Sequence, residues 1–141
     1  MEKDGMKRSD FYDRLLSSKG VNGMRLIMKK RFFRDKRIAS LLQSPFGARA
    51  VLVYMMLVGL AEKDYPRYYL LGNDMMPIPY SQIHENLGIG KELWVKAYNV
   101  LLEVALIGTV KTNQGAIAVI YVNTDGLFEE RESAYLYWNC I

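Results

Sequence analysis

Six of the nine residues from Lys29 to Arg37 are basic: Lys29, Lys30, Arg31, Arg34, Lys36 and Arg37 surround Phe32, Phe33 and Asp35. Cation packed this densely suits a polyanion, because each Lys or Arg that neutralises a phosphate displaces a condensed counterion. In that reading the cations contact phosphates while the two phenylalanines anchor the segment. The same residues also fit a solvated turn whose charges only keep a small protein soluble. Through Arg37 there are 12 Lys or Arg against 5 Asp or Glu, and from Ile38 onward 7 against 10. The net charge of +4 and the pI near 9.1 therefore conceal a basic N-terminal quarter.

Other residues with chemical potential carry less. His84 is the one histidine, and no acid and nucleophile at a telling spacing turn it into a triad. "GIGK" at 88–91 has part of a phosphate-loop pattern, but Glu85 stands where the first glycine belongs and Glu92 where a Ser or Thr would hold magnesium. "EERE" at 129–132 fits a solvated helix start better than a metal site. A lone cysteine, Cys140, excludes an internal disulfide and points to a reducing cytoplasm. Neither an enzyme nor a metal or cofactor is expected.

The chain of 141 residues, half of them hydrophobic, is long enough for one sizeable core. "MEKDGMKRSD" lacks the apolar region of a signal peptide. The longest apolar run, 50–61, is too short to span a bilayer, so no membrane partner is expected.

Several elements must position these residues. Ser9 or Asp10 can cap a short amphipathic helix that ends at Gly20, giving a basic arm over 1–23. Met24, Leu26 and Met28 alternate, which predicts a strand over 24–30. Asp35 can open a helix to about Gln43, with Ile38, Leu41 and Leu42 on one side. From Gly47 a helix apolar nearly all round belongs at the centre of the core. Pro66, Pro77 and Pro79 fence a connector with an extended piece around Tyr69 to Leu71.

Ser81 can cap a helix over 82–87, "LGIGK" makes a glycine turn, and Lys91 begins a longer helix that Gly108 ends. "TVKTNQGAIAVIYV" then predicts a hairpin, with Asn113 and Gly115 supplying left-handed backbone. Helix-turn-helix followed by hairpin is the order of an α+β winged-helix domain, here with an extra N-terminal strand and assigned to 24–123. Residues 124–141 form a C-terminal extension, and its aromatic end "ESAYLYWNCI" packs on the domain or on a second copy, which makes a homodimer a candidate.

The lead-in "FFRDKRI" at 32–38, the helix "GARAVLVYMMLVGLA", the helix and turn "IHENLGI" and the helix end "LLEVALIG" at 101–108 carry a family resemblance. Over roughly 24–123 the chain resembles the N-terminal winged-helix domain of phage replisome organisers and DnaD-like primosome and plasmid replication proteins. The resemblance implies a part in replication initiation, through origin DNA or through replication proteins as partners. Such proteins often continue into a second region, and functions housed there are not expected in the 18 residues after Asn123.

Two functions follow. In the first, double-stranded DNA is bound by the basic stretch, with Lys91, Trp94, Lys96, Tyr98 and Asn99 at the groove and Lys111 on the wing. Between Lys91 and Glu103 the charges cancel, so the basic stretch must supply most of the phosphate contacts. In the second, the neutral helix and aromatic terminal residues assemble copies of the chain or dock a replication partner.

Overall fold

In the computed structural model, which describes residues 24–64 and 66–132, the first described element is a strand, β1 (Met24–Met28), whose partner lies near the other end of the described chain. It pairs antiparallel with β6 (Phe128–Glu132), Met28 opposite Phe128. The "EERE" residues are thus strand, and not the start of a helix as their charge implies. Alternating β1 residues need a partner edge, and "FEERE" supplies it. The expected arm over 1–23 and the end of the chain beyond 132 lie outside the described residues.

After the basic turn come α1 (Lys36–Leu41) and α2 (Pro45–Leu60). The Asp35 carboxylate caps α1 by accepting from the Arg37 N–H at 2.9 Å. Ser44 caps α2 in the same manner, its Oγ accepting from the Gly47 N–H at 3.0 Å, and Pro45 occupies the first turn, where its missing N–H does no harm. Gly47 lets the two helices meet, since a Cβ there would lie 1.7 Å from the Leu41 carbonyl oxygen. On α2, Ala50, Val51, Val53, Tyr54, Leu57 and Val58 are buried, but Leu52 is 58% exposed, so the helix keeps one solvent-facing side despite its apolar sequence.

Two short strands, β2 (Glu62–Asp64) and β3 (Arg67–Tyr69), form a hairpin. Next come α3 (Tyr80–Leu87), α4 (Lys91–Glu103) and the hairpin of β4 (Ile107–Lys111) with β5 (Ile117–Val122). The second sheet runs in the order β2-β3-β5-β4, all antiparallel. The described residues form a mixed α+β fold of four α-helices and two antiparallel sheets. Its core lies between the helices and the second sheet, and extends beyond 123, because Leu127 is fully buried and Phe128 packs against the core.

Local details differ from expectation for identifiable reasons. Pro79, not Ser81, occupies the N-cap of α3. Gly88 closes α3 with φ +72°. The end of α4 is a Schellman turn in which the Leu106 N–H bonds the Leu101 carbonyl at 2.9 Å and the Ala105 N–H bonds Leu102 at 3.1 Å. Ala105 takes the left-handed position, φ +65°, that glycine usually fills. Gly108 sits within β4, where a Cβ would lie 2.3 Å from the Tyr121 ring. At the hairpin tip only Gly115 is left-handed, φ +85°, and Asn113 is not.

Ala105 stores avoidable strain, because an L side chain in that region crowds its own backbone. Ala105→Gly is expected to stabilise the fold by about 1 kcal/mol, raising the thermal midpoint by about 3 to 4 °C in a scanning calorimeter.

Candidate nucleic-acid interface

The basic turn is built on consecutive short-range hydrogen bonds. The N–H groups of Phe32, Arg34 and Asp35 bond the carbonyls of Lys29, Arg31 and Phe32 at 3.0, 2.9 and 3.3 Å, and Phe32–Arg34 is a 3₁₀ turn. Phe32 is fully buried and fixes the turn to the core. Its ring lies 6.4 Å from Tyr54 in a stacked arrangement and 5.6 Å from Phe128 edge-on. The turn is further tied down where the Lys29 N–H bonds the Leu127 carbonyl at 2.9 Å.

Arg37 closes the other end. Its Nε and Nη2 donate to the two Asp35 carboxylate oxygens at 3.0 Å each, and Nη2 also donates to the Asp125 carbonyl at 3.1 Å. This fork joins the start of α1 to the loop between β5 and β6. Bonding to Arg37 holds the Asp35 carboxyl below its ordinary 3.8 and pushes the Arg37 guanidinium up. Arg37 therefore serves as a brace.

The remaining cations stand apart. Lys29, Lys30, Arg31, Arg34 and Lys36 are exposed, and none makes a side-chain ion pair with another described residue. Arg31 and Arg34 line a notch of about 420 Å³ together with Asp35 and Gly126. Phe33 was not among the expected contact residues, yet it is 55% exposed in the middle of these charges. Of the two phenylalanines expected to anchor the segment, only Phe32 does so, packed against Tyr54 and Phe128, and Phe33 is left in solvent.

On α4, Lys91, Lys96 and Asn99 are exposed, with Glu92 and Glu103 beside them. Trp94 and Tyr98, expected at a groove, lie inside: they are 1% and 8% exposed and form an aromatic cluster with Tyr80, centroids 4.9 to 5.6 Å apart. Four-residue spacing put both rings on the side of α4 that meets α3. Among the described residues the buried Trp94 indole Nε1 finds no hydrogen-bond partner, a situation that costs about 1 to 3 kcal/mol. Lys111 is exposed at the far end of β4. The Asp125 carbonyl held by Arg37 lies three residues past Val122, which pairs with Ile107 at the near end of the hairpin, so the basic turn adjoins the end of β4 opposite Lys111.

Asn123 locks this near end. Its carbonyl accepts from the Tyr54 hydroxyl at 2.5 Å, its amide donates to the Ala105 carbonyl at 2.7 Å, and its backbone N–H bonds Leu106 at 2.9 Å. Burial pushes the Tyr54 phenol far above its usual range, so it remains a donor. Beside it, a cleft of about 480 Å³ opens between the two sheets. There Glu130 accepts from both the Lys63 ammonium and the Tyr68 hydroxyl, and the two donors hold its carboxyl below the ordinary range. No group of three His, Cys, Asp or Glu capable of holding a metal occurs among the described residues, and no described helix is long and apolar enough to cross a membrane.

Comparison of the chain with protein-family models, with curated proteins and with solved structures yields no match.

Two outcomes follow from this arrangement. Asp35 has a lowered folded-state pKa, so its contribution is present above the unfolded value and is lost as pH falls through the folded one. Asp35→Asn should cost up to about 1 kcal/mol near pH 7, and the gap between variant and wild type should close under acid when urea midpoints are compared. Trp94→Phe, which removes a buried unbonded N–H and touches no exposed surface, should leave any nucleic-acid affinity within about twofold in a fluorescence-anisotropy titration.

Proposed function

We propose that the chain is a winged-helix nucleic-acid-binding protein that grips DNA chiefly through its basic turn. The observation that carries this reading is the set of five exposed cations, Lys29, Lys30, Arg31, Arg34 and Lys36, that make no ion pair among the described residues and stand on a backbone pinned by Phe32 and Arg37. A solvated charge cluster needs no such support. Fixing the turn in advance reduces the ordering cost of binding a phosphate backbone.

The winged-helix reading draws on the sequence α2, β3, α3, α4, β4, β5, with β5 lying between β3 and β4. In that architecture α4 would meet the groove, and its usable side chains are Lys91, Lys96 and Asn99, with Lys111 on the wing. With Glu92 and Glu103 alongside, this face has little net attraction for phosphate, so it would position rather than hold. A role in replication initiation of a phage or mobile element is supported by the resemblance of residues 24–123.

A second reading is a protein-interaction winged helix, in which α4 docks a replication partner or a second copy. The neutrality of α4 and the exposure of Leu102 and Val110 favour it.

The salt dependence of duplex binding separates the two. Under the first reading, affinity falls steeply between low and moderate salt. Changing Lys29, Lys30, Arg31 and Arg34 together to Ala lowers the magnitude of the slope of log K against log salt by about 3 to 4. Absence of duplex binding by the wild-type protein at low salt would refute it.

A further inference from the structure

The basic turn carries one feature that phosphate binding leaves unused. Phe33 is a large apolar ring, 55% exposed, in a turn otherwise held by buried and bonded groups. Its neighbour Phe32 touches it edge-on, centroids 4.9 Å apart, and is fully buried. With i to i+3 hydrogen bonds linking 29 to 32, 31 to 34 and 32 to 35, residues three apart share a side of the turn. Phe32 is buried, Arg31, Arg34 and Asp35 line the notch together, and Phe33 is exposed between Arg31 and Arg34 in sequence, with Lys30 and Lys36 exposed on either side of them.

We propose that this turn binds unpaired nucleic acid, with Phe33 as the platform on which a base stacks and Arg31, Arg34 and Lys30 on the flanking phosphates. The inference rests on the nucleic-acid reading of the same turn and specifies its substrate. An aromatic ring can stack on a base only where the base face is open. A duplex hides those faces in its own stack, whereas a single strand or a splayed junction offers them. Phenylalanine has no donor or acceptor, so the contact is indifferent to base identity, and affinity comes from stacking plus cation.

The shape also argues against a lipid surface as the target. Penetration of a bilayer interface draws on several apolar side chains pointing the same way. Here Phe32 is turned into the core, which leaves Phe33 as a single exposed ring among cations, two of which, Arg31 and Arg34, line a notch. A notch of about 420 Å³ has room for a phosphate and its sugar, and the one carboxylate on its wall, Asp35, is already occupied by Arg37.

The test compares the full chain and its variants on a labelled oligothymidylate of about a dozen nucleotides and on a duplex of similar length, both at low salt. Phe33→Ala is expected to weaken oligothymidylate binding by about tenfold or more while duplex affinity stays within about twofold. Phe33→Trp should restore single-strand binding, because either ring stacks. Arg31→Ala with Arg34→Ala should weaken both probes. Phe33 is more than half exposed, so its replacement leaves the fold intact, which circular dichroism checks. Unchanged oligothymidylate binding by Phe33→Ala, or equal loss on both probes, overturns the stacking role and leaves the phosphate grip standing. If wild-type protein binds neither probe, or binds only vesicles of anionic phospholipid, the nucleic-acid reading falls and this inference with it.

Discussion

Burial of Phe32 is the constraint from which the rest of the candidate interface follows. A chain with six cations in nine residues repels itself and would prefer to spread. Setting one phenylalanine into the space between Tyr54 and Phe128 offsets that repulsion by roughly 2 to 3 kcal/mol of apolar transfer, before the ring contacts are counted. It also fixes the rotation of the turn. Once Phe32 faces inward, the 3₁₀ geometry sends Arg31 and Arg34 to one side and Phe33 to another. The same ring links distant parts of the chain, since Tyr54 belongs to α2 and Phe128 to the strand that pairs with β1.

Around this anchor the polar bonds form a second layer of support. Arg37 ties the cap of α1 to the β5–β6 loop, and Asn123 ties that loop to α2 and to the end of α4. Each bond contributes about 1 kcal/mol on its own. Their joint effect is geometric: the basic turn, the end of α4 and the near end of the β4–β5 hairpin are held as one surface. Phe33 and the five exposed cations are then presented on a rigid frame, which reduces the ordering that any ligand must otherwise impose.

Much of the fold was legible in the sequence because its signals are local. Met24, Leu26 and Met28 marked β1, Asp35 marked the start of α1, and "LGIGK" marked the turn between α3 and α4. What escaped depends on distant pairing. "EERE" becomes a strand only because β1, about a hundred residues earlier, presents an edge to it. Gly108 looked like a helix stop and instead makes way for Tyr121, thirteen residues on. The candidate site divides in the same manner. The cations were plain from composition, but that Arg37 is a brace, that Trp94 and Tyr98 face α3, and that Phe33 stays in solvent are all outcomes of packing that spacing does not encode.

The central claim is that the turn, and not α4, is where nucleic acid is held. Backbone amide shifts recorded during titration of the labelled protein with a short oligonucleotide test it most directly. The account predicts the largest movements at Lys29 to Lys36 and the adjoining Asp125 and Gly126, with smaller ones along the exposed side of α4. Movements confined to Lys91, Lys96, Asn99 and the β4–β5 tip, with the basic turn silent, would contradict it.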